Sequence, residues 1–365
     1  MTERQSGILP DQQIQALFDA GALKSGRALD DDQIQPASLD LRLGETAYRV
    51  RASFMPGMAS TVREKLETYK LHQIDLREGA VLETGCVYIV PLLETLTLPD
   101  DISASANPKS STGRLDIFTR VMADNAVEFD KIRHGYNGEL YLEVSPRTFP
   151  IVARTGSRLS QIRFRKGLAL LGATELGALH EAETLIFDDK ANISDMGIAM
   201  SVDLKGDDDG LVGYRGKHHT AVVDVDKRNA HDVLDFWEPI HVRSRTELIL
   251  DPDEFYILVS REAVHVPPLY AAEMTPFDPL VGEFRVHYAG FFDPGFGHSA
   301  AGGTGSRAVL EVRSHEVPFV LEHGQIVGRL VYEHMLERPS ALYGIDLKSN
   351  YQAQGLKLSK HFRPA

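Results

Sequence analysis

Two short stretches of this chain carry residue types that can do chemistry together. P-K-S-S-T-G-R (108–114) places two adjacent hydroxyls, Ser110 and Ser111, between the cations Lys109 and Arg114. Hydroxyls can hold a phosphate or a nucleophilic water, and an arginine clamps a phosphate through two parallel hydrogen bonds. Downstream, G-E-L-Y-L-E (138–143) sets Glu143 in an apolar strand. A partly buried carboxyl within hydrogen-bond reach can take a proton from water and hand it on. An anion site beside a proton-transfer group suits an enzyme acting on a nucleotide. Taken alone, each stretch also has a plainer reading: a Ser-rich turn followed by a surface arginine, and a carboxylate on the solvated face of an alternating strand.

Composition narrows the field. The chain has 365 residues, 43% hydrophobic and 25% charged, enough for two ordinary domains. A net charge of −13 argues against nucleic acid or acidic membranes as partners, while leaving room for a small anion held by local cations. No stretch approaches the ~20 apolar residues of a membrane span. M-T-E-R-Q-S-G (1–7) lacks the basic-then-apolar layout of a signal peptide, and Cys86 is the only cysteine, so a cytoplasmic enzyme is expected. One cysteine also cannot build the His/Cys/Cys or three-Cys zinc site of nucleobase deaminases. H-E-x-x-H, Walker A and G-x-G-x-x-G are missing too, so water must be activated by a side chain. His218 and His219 would point to opposite faces of a strand and make a poor chelating pair.

The elements that must position these groups are mostly strands. Pro10 and Asp11 open a short helix with Ile14, Leu17 and Phe18 on one face, ending at Gly21. Thereafter alternating runs recur between Gly, Pro, Asp and Asn turns, as in a barrel or jelly roll. The runs repeat. S-L-D-L-R-L-G (38–44) is echoed by S-V-D-L-K-G (201–206), Y-I-V-P (88–91) by Y-I-L-V (256–259), and L-Y-L-E-V (140–144) by V-L-E-V (309–312). The spacing, roughly 165 residues, fits duplication of a whole domain. We divide the chain into 1–185 and 186–365, at the polar D-D-K-A-N-I-S-D (188–195). The acidic D-D-D-G (207–210) reads as a solvated hairpin loop.

With this order of motifs the chain resembles the dCTP deaminases of the trimeric dUTPase-like superfamily. I-Q-P-A-S-L-D-L-R-L-G (34–44) looks like that family's first strand, S-S-T-G-R (110–114) like its S-S-x-x-R motif, and 138–143 like the strand bearing its catalytic Glu. Tyr343 through Lys348 to Gln354 and Gly355 resembles its C-terminal tail, which folds over the triphosphate. The chain departs from the family in being double length. Its first half has an altered turn, A-V-E-F-D-K-I-R-H-G (126–135), for the family's A-H-R-I-D-P-G. Its second half keeps Glu311 and a D-P-G-F-G turn (293–297), lacks S-S-x-x-R, and gains a Gly-rich insertion (299–305).

The resemblance implies two tandem, mainly β, dUTPase-like barrels of β-clip or jelly-roll type with a few short helices. It implies zinc-independent hydrolysis of dCTP to dUTP and ammonia, with Glu143 as general base and Ser110 and Arg114 positioning it and the water. Ser111 and Lys109 would meet the phosphates, as would Lys131 or Arg133 in place of the altered turn's basic residue. Tyr343, Lys348 and Gln354 would close over the ligand. The first half would carry the chemistry and the second supply walls and a lid, Glu311 being structural or vestigial. Mg²⁺ would arrive mainly on the triphosphate, dTTP is a candidate inhibitor, and the assembly would be a homotrimer. Two alternatives stay open: a dUTP diphosphatase, or a bifunctional enzyme making dUMP, with Asp293 or Asp130 as base; and a non-catalytic nucleotide sensor.

Overall fold

The computed structural model describes residues 4–364 except 188–190, 207, 243–245, 277–283, 287–289, 315 and 345–354. The opening helix, Asp11–Asp19, buries Ile14 and Leu17 as its spacing predicts. Most of the remaining regular structure is antiparallel strand, with a few short helices.

The duplication is visible strand by strand. In the first half one sheet runs in the order 131–132, 102–108, 158–166, 38–42, 34–35; in the second half its equivalent runs 291–292, 270–276, 326–334, 197–201, 193–194. The other sheet of each half likewise matches: 117–123, 137–146, 87–97, 46–50, 70–75 against 284–286, 306–314, 255–264, 211–216, 237–241. Small contacts repeat as well. The Tyr88 hydroxyl accepts from the Glu83 amide at 3.0 Å, and Tyr256, 168 residues later, accepts from Asp251 at 3.0 Å.

One echo read from the sequence is out of register. Buried Glu94 accepts from the Arg42 amide at 2.8 Å, and buried Glu262 accepts from the Ser201 amide at 2.8 Å. Ser201 is therefore the counterpart of Arg42, not of Ser38. The S-x-D-L likeness had slid the strand by four residues, an even number that keeps inside and outside faces aligned.

Each half closes its two sheets on its own core. Leu140, Leu142 and Val144 point into the first core, and Ala308, Leu310 and Val312 into the second. The helix Ala173–Glu183 sends Leu176 and Leu179 into the second core. The cores are joined at one corner, where Phe149 meets Phe236, Trp237 and Phe362 with ring centroids 5.2–6.5 Å apart. Phe362 and Leu358 show that the chain's end returns to pack in the first half's core. There the Ser359 hydroxyl donates to the Ser111 carbonyl at 2.8 Å, and His361 bonds the Val225 carbonyl at 2.9 Å.

Candidate functional site

In a strand every second side chain faces away from its own core. That rule turns Tyr141 and Glu143 outward in the first half, and Val309, Glu311 and Arg313 outward in the second. What covers the outward face differs. In the first half it is the chain's own segment 51–69, whose helix Val62–Tyr69 starts at a Thr61–Glu64 capping box and buries Val62 and Leu66 beside Tyr141. Glu143 is sealed under it. Its carboxylate accepts from Ser53 Oγ at 2.6 Å and from Arg120 Nη2 at 2.7 Å.

In the second half the cover is the first half itself. Val309 joins the first core, and Arg313 is paired with Asp116. Glu311, between them, faces the short helix Ser110–Gly113 across a cavity of about 510 Å³. The Arg114 guanidinium Nε stands 4.0 Å from Glu311 Oε1, and its Nη1 donates to the Lys357 carbonyl at 2.9 Å. Burial pushes the Glu311 carboxyl up to about 8, against the pull of Arg114. A group placed so is protonated at neutral pH and ready to donate.

Of the residues read from the sequence, Lys109, Ser110, Ser111, Arg114 and Tyr343 line this one cavity. The Tyr343 amide donates to the Pro294 carbonyl at 2.8 Å, and its ring lies 5.7 Å from that of Phe296. The structure does not bring Glu143 to them: it is tied to Arg120 and Ser53, while its counterpart Glu311 fills the place. The expectation that a single half holds both the base and the hydroxyl-cation motif is thereby revised, because the faces carrying the two carboxyls are covered by different partners. Lys131 is also elsewhere. It is exposed at the rim of a second cavity, on the pair of strands 131–132 and 102–108. Lys348 and Gln354 lie outside the described residues.

Several lining groups escaped the sequence reading. Lys360, Arg228 and Arg158 join Lys109 on the cationic side. Burial first, and then repulsion from Lys109 and Arg228, lowers the Lys360 ammonium to about 8. Cations gathered on one wall make a site for a polyanion. Lys109 is paired with Asp40, whose Oδ1 is buried without a hydrogen-bond partner. On the opposite wall stand Phe291 and Asp293 from the second half. One signal for this arrangement was present in the sequence: each half keeps a motif that the other lacks, S-S-x-x-R in the first and D-P-G in the second.

Such a cavity, cationic on one wall and aromatic on the other, suits a nucleotide, the ligand of a nucleotide hydrolase. Comparison with known proteins sharpens that class. Two family models match in tandem: the 2′-deoxycytidine 5′-triphosphate deaminase N-terminal domain over residues 5–168 and the C-terminal domain over 172–362. The chain belongs to the 2′-deoxycytidine 5′-triphosphate deaminase family. A crystal structure of 2′-deoxycytidine 5′-triphosphate deaminase from Agrobacterium tumefaciens superposes with a TM-score of 0.88 at 75% identity, covering 91% of this chain and 100% of that one. A Beutenbergia cavernae protein named "dCTP deaminase, dUMP-forming" is 31% identical over 158 residues, 43% of this chain and 78% of its own length. A Haloarcula marismortui "dCTP deaminase" is 31% identical over 161 residues, 43% and 79% respectively.

Proposed function

We propose that the cavity between the halves deaminates dCTP to dUTP and ammonia, with Glu311 as the proton-transfer carboxyl. The reaction class follows from the family: the chain is a dCTP deaminase, a hydrolase acting on a C–N bond. The observation that carries the assignment of the base is the meeting of Glu311 with Arg114 and the Ser110–Gly113 helix in one enclosed space.

Glu311, protonated at rest, gives its proton to N3 of cytosine. The carboxylate so formed takes a proton from a water whose oxygen bonds C4, and passes it to the amino group. The C–N bond breaks, ammonia leaves, and the hydroxyl at C4 returns its proton to Glu311 as the carbonyl forms. Ser110, half-buried at the cavity wall, is placed to hold the water, and Arg114 stabilises the carboxylate between the two transfers. Lys109, Ser111, Arg158, Arg228 and Lys360 offer donors to the triphosphate, and Tyr343 closes the cavity from the C-terminal side. Lys348 and Gln354 remain proposed lid residues on the resemblance alone.

Mg²⁺ fits as an ion carried by the triphosphate. Among the described residues no cluster of three His, Cys, Asp or Glu side chains is placed to ligate an ion, so the ion would rest mainly on the triphosphate oxygens. Bound there, the ion would offset phosphate charge. The homotrimer and inhibition by dTTP are carried as proposals from the resemblance. The trimer is not needed to complete this cavity, since one chain supplies both walls, and a sedimentation mass other than three chains would end that proposal. No helix among the described residues is long and apolar enough to cross a membrane.

The test is to incubate the protein with dCTP and Mg²⁺ and follow ammonia, dUTP, dUMP and pyrophosphate together, with Glu311→Gln and Glu143→Gln beside the wild type. Ammonia with dUTP, abolished by Glu311→Gln, supports the reading. Ammonia with dUMP and pyrophosphate would make the enzyme dUMP-forming. Cleavage of dUTP without ammonia from dCTP would hand the site to a diphosphatase, and binding without turnover to a sensor.

A further inference from the structure

Arg163 is 0% exposed, lies in the strand Arg158–Lys166 of the first half, and does not line the cavity. Its guanidinium nevertheless grips the second half's wall of that cavity. Nη2 donates to Asp293 Oδ1 at 3.0 Å and to the Phe292 carbonyl at 3.4 Å, and Nη1 donates to the Ala272 carbonyl at 3.1 Å. The guanidinium carbon sits 4.0 Å from the centre of the Phe291 ring. Glu333 stands 3.9 Å away as a looser counter-charge.

Two facts separate this arginine from ordinary packing. Its Nε is buried with no hydrogen-bond partner among the described residues, so the fork is oriented by the wall and not by its own full satisfaction. Its counterpart 168 residues later is Val331, so the duplicated position accepts an aliphatic side chain in the equivalent sheet of the second half. A buried ion pair is a weak stabiliser compared with well-packed apolar side chains. If cohesion alone were at stake, the apolar choice would serve.

We propose that Arg163 is a positioning residue, a first-half side chain that fixes Phe291 and Asp293 of the second half as the nucleobase wall opposite Ser110 and Arg114. The inference rests on the deaminase reading above. It makes docking of the halves a condition of substrate recognition. The grip extends one step further, because the turn after Asp293 receives the Tyr343 amide at the Pro294 carbonyl. Burial and the nearby Asp40 push the Asp293 carboxyl above its ordinary range, and Arg163 pulls against that shift, with help from Lys109.

The test compares Arg163→Met and Arg163→Lys with wild type, as full chains, by thermal unfolding, by ammonia release from dCTP across pH 5–9, and by calorimetric titration with dCTP. Arg163→Met is expected to fold, to bind dCTP at least tenfold more weakly, and to shift the acidic limb of kcat/KM upward by one pH unit or more. Arg163→Lys keeps the charge but loses the fork and the flat stacking surface. It is expected to leave the limb in place while raising KM at least threefold. A folded Arg163→Met with wild-type affinity and an unmoved limb would overturn the proposal. Should Arg163→Met not fold, an unchanged KM and affinity in Arg163→Lys would overturn it equally. Wild-type protein that binds dCTP but releases no ammonia would defeat the deaminase reading alone, and the affinities would still decide the role of Arg163. Wild-type protein that neither binds nor turns over dCTP would defeat both.

Discussion

Replacing Glu311 by Gln should abolish turnover and, at alkaline pH, make the protein more stable. The carboxyl moves from 4.5 in its ordinary state to about 8 in the fold, chiefly through burial. Between those values the folded state binds a proton that the unfolded chain has released, so stability is fully present below about 4.5 and is lost as pH rises through about 8. At about 1.4 kcal/mol for each unit, the full penalty is roughly 5 kcal/mol, and relaxation around the site brings the expectation down to about 3–5 kcal/mol. Glutamine stays neutral and escapes it. With unfolding entropies that scale with chain length, this corresponds to a rise in Tm of about 4–6 °C at pH 9, fading to nothing near pH 4.5. The assay is thermal unfolding of both proteins from pH 4.5 to 9, alongside ammonia release at saturating dCTP, expected to fall at least ~10³-fold. Parallel stability curves for the two proteins, or a Glu311→Gln variant that still deaminates, would refute the reasoning. Losing turnover while gaining stability is what a buried proton-transfer group should show, and a structural carboxylate would show the reverse.

Glu143→Gln should behave oppositely. It leaves Arg120 half-buried without its carboxylate, at a cost of about 1–3 kcal/mol in denaturant unfolding, while kcat with dCTP stays within a fewfold of wild type. Phe362→Ala should cost about 3–5 kcal/mol by emptying the aromatic corner; it should also raise KM, since the same segment holds Ser111 and Arg114 through Ser359 and Lys357. Lys360→Met should raise the KM for dCTP by about ten- to a hundredfold, the worth of one charged hydrogen bond. In the wild type that contribution is present below the ammonium's value of about 8 and lost above it. The KM of the variant should therefore lose the alkaline rise that the wild type shows, a difference that steady-state kinetics from pH 6.5 to 9 would read.

Much of the fold was legible because period-2 alternation and turn residues are local signals. The strands at 87–97 and 255–264, the helix at 11–19 and the tandem repeat all follow from them. Which carboxyl meets Ser110 and Arg114 was not, for an instructive reason. Glu143 and Glu311 sit in the same pattern on equivalent strands, and both face outward from their own sheets. Whether an outward carboxyl is plugged or catalytic depends on what packs over it, and the covers lie far away in sequence: 51–69 for one, 108–114 for the other. The cavity cations tell the same story. Lys360 and Arg228 carry no local mark, and Lys360 reaches the cavity because Leu358 and Phe362 pin the chain's end to the first core. Lys131 was misplaced because adjacency to the altered turn was taken for adjacency to the site.

The pair Arg165–Glu333 has a further consequence. The two residues are counterparts, 168 positions apart, and they meet each other with Nε and Oε1 2.6 Å apart. In an assembly of identical units a residue at such a point meets only its own kind, and a cation cannot be matched there by an anion. Two copies in one chain are free of that constraint, because the two equivalent positions can carry different residues. Two first halves docked this way would oppose arginine to arginine, and two second halves glutamate to glutamate. The halves have thus acquired a polarity. At this point the pairing of unlike halves is favoured over the pairing of like ones.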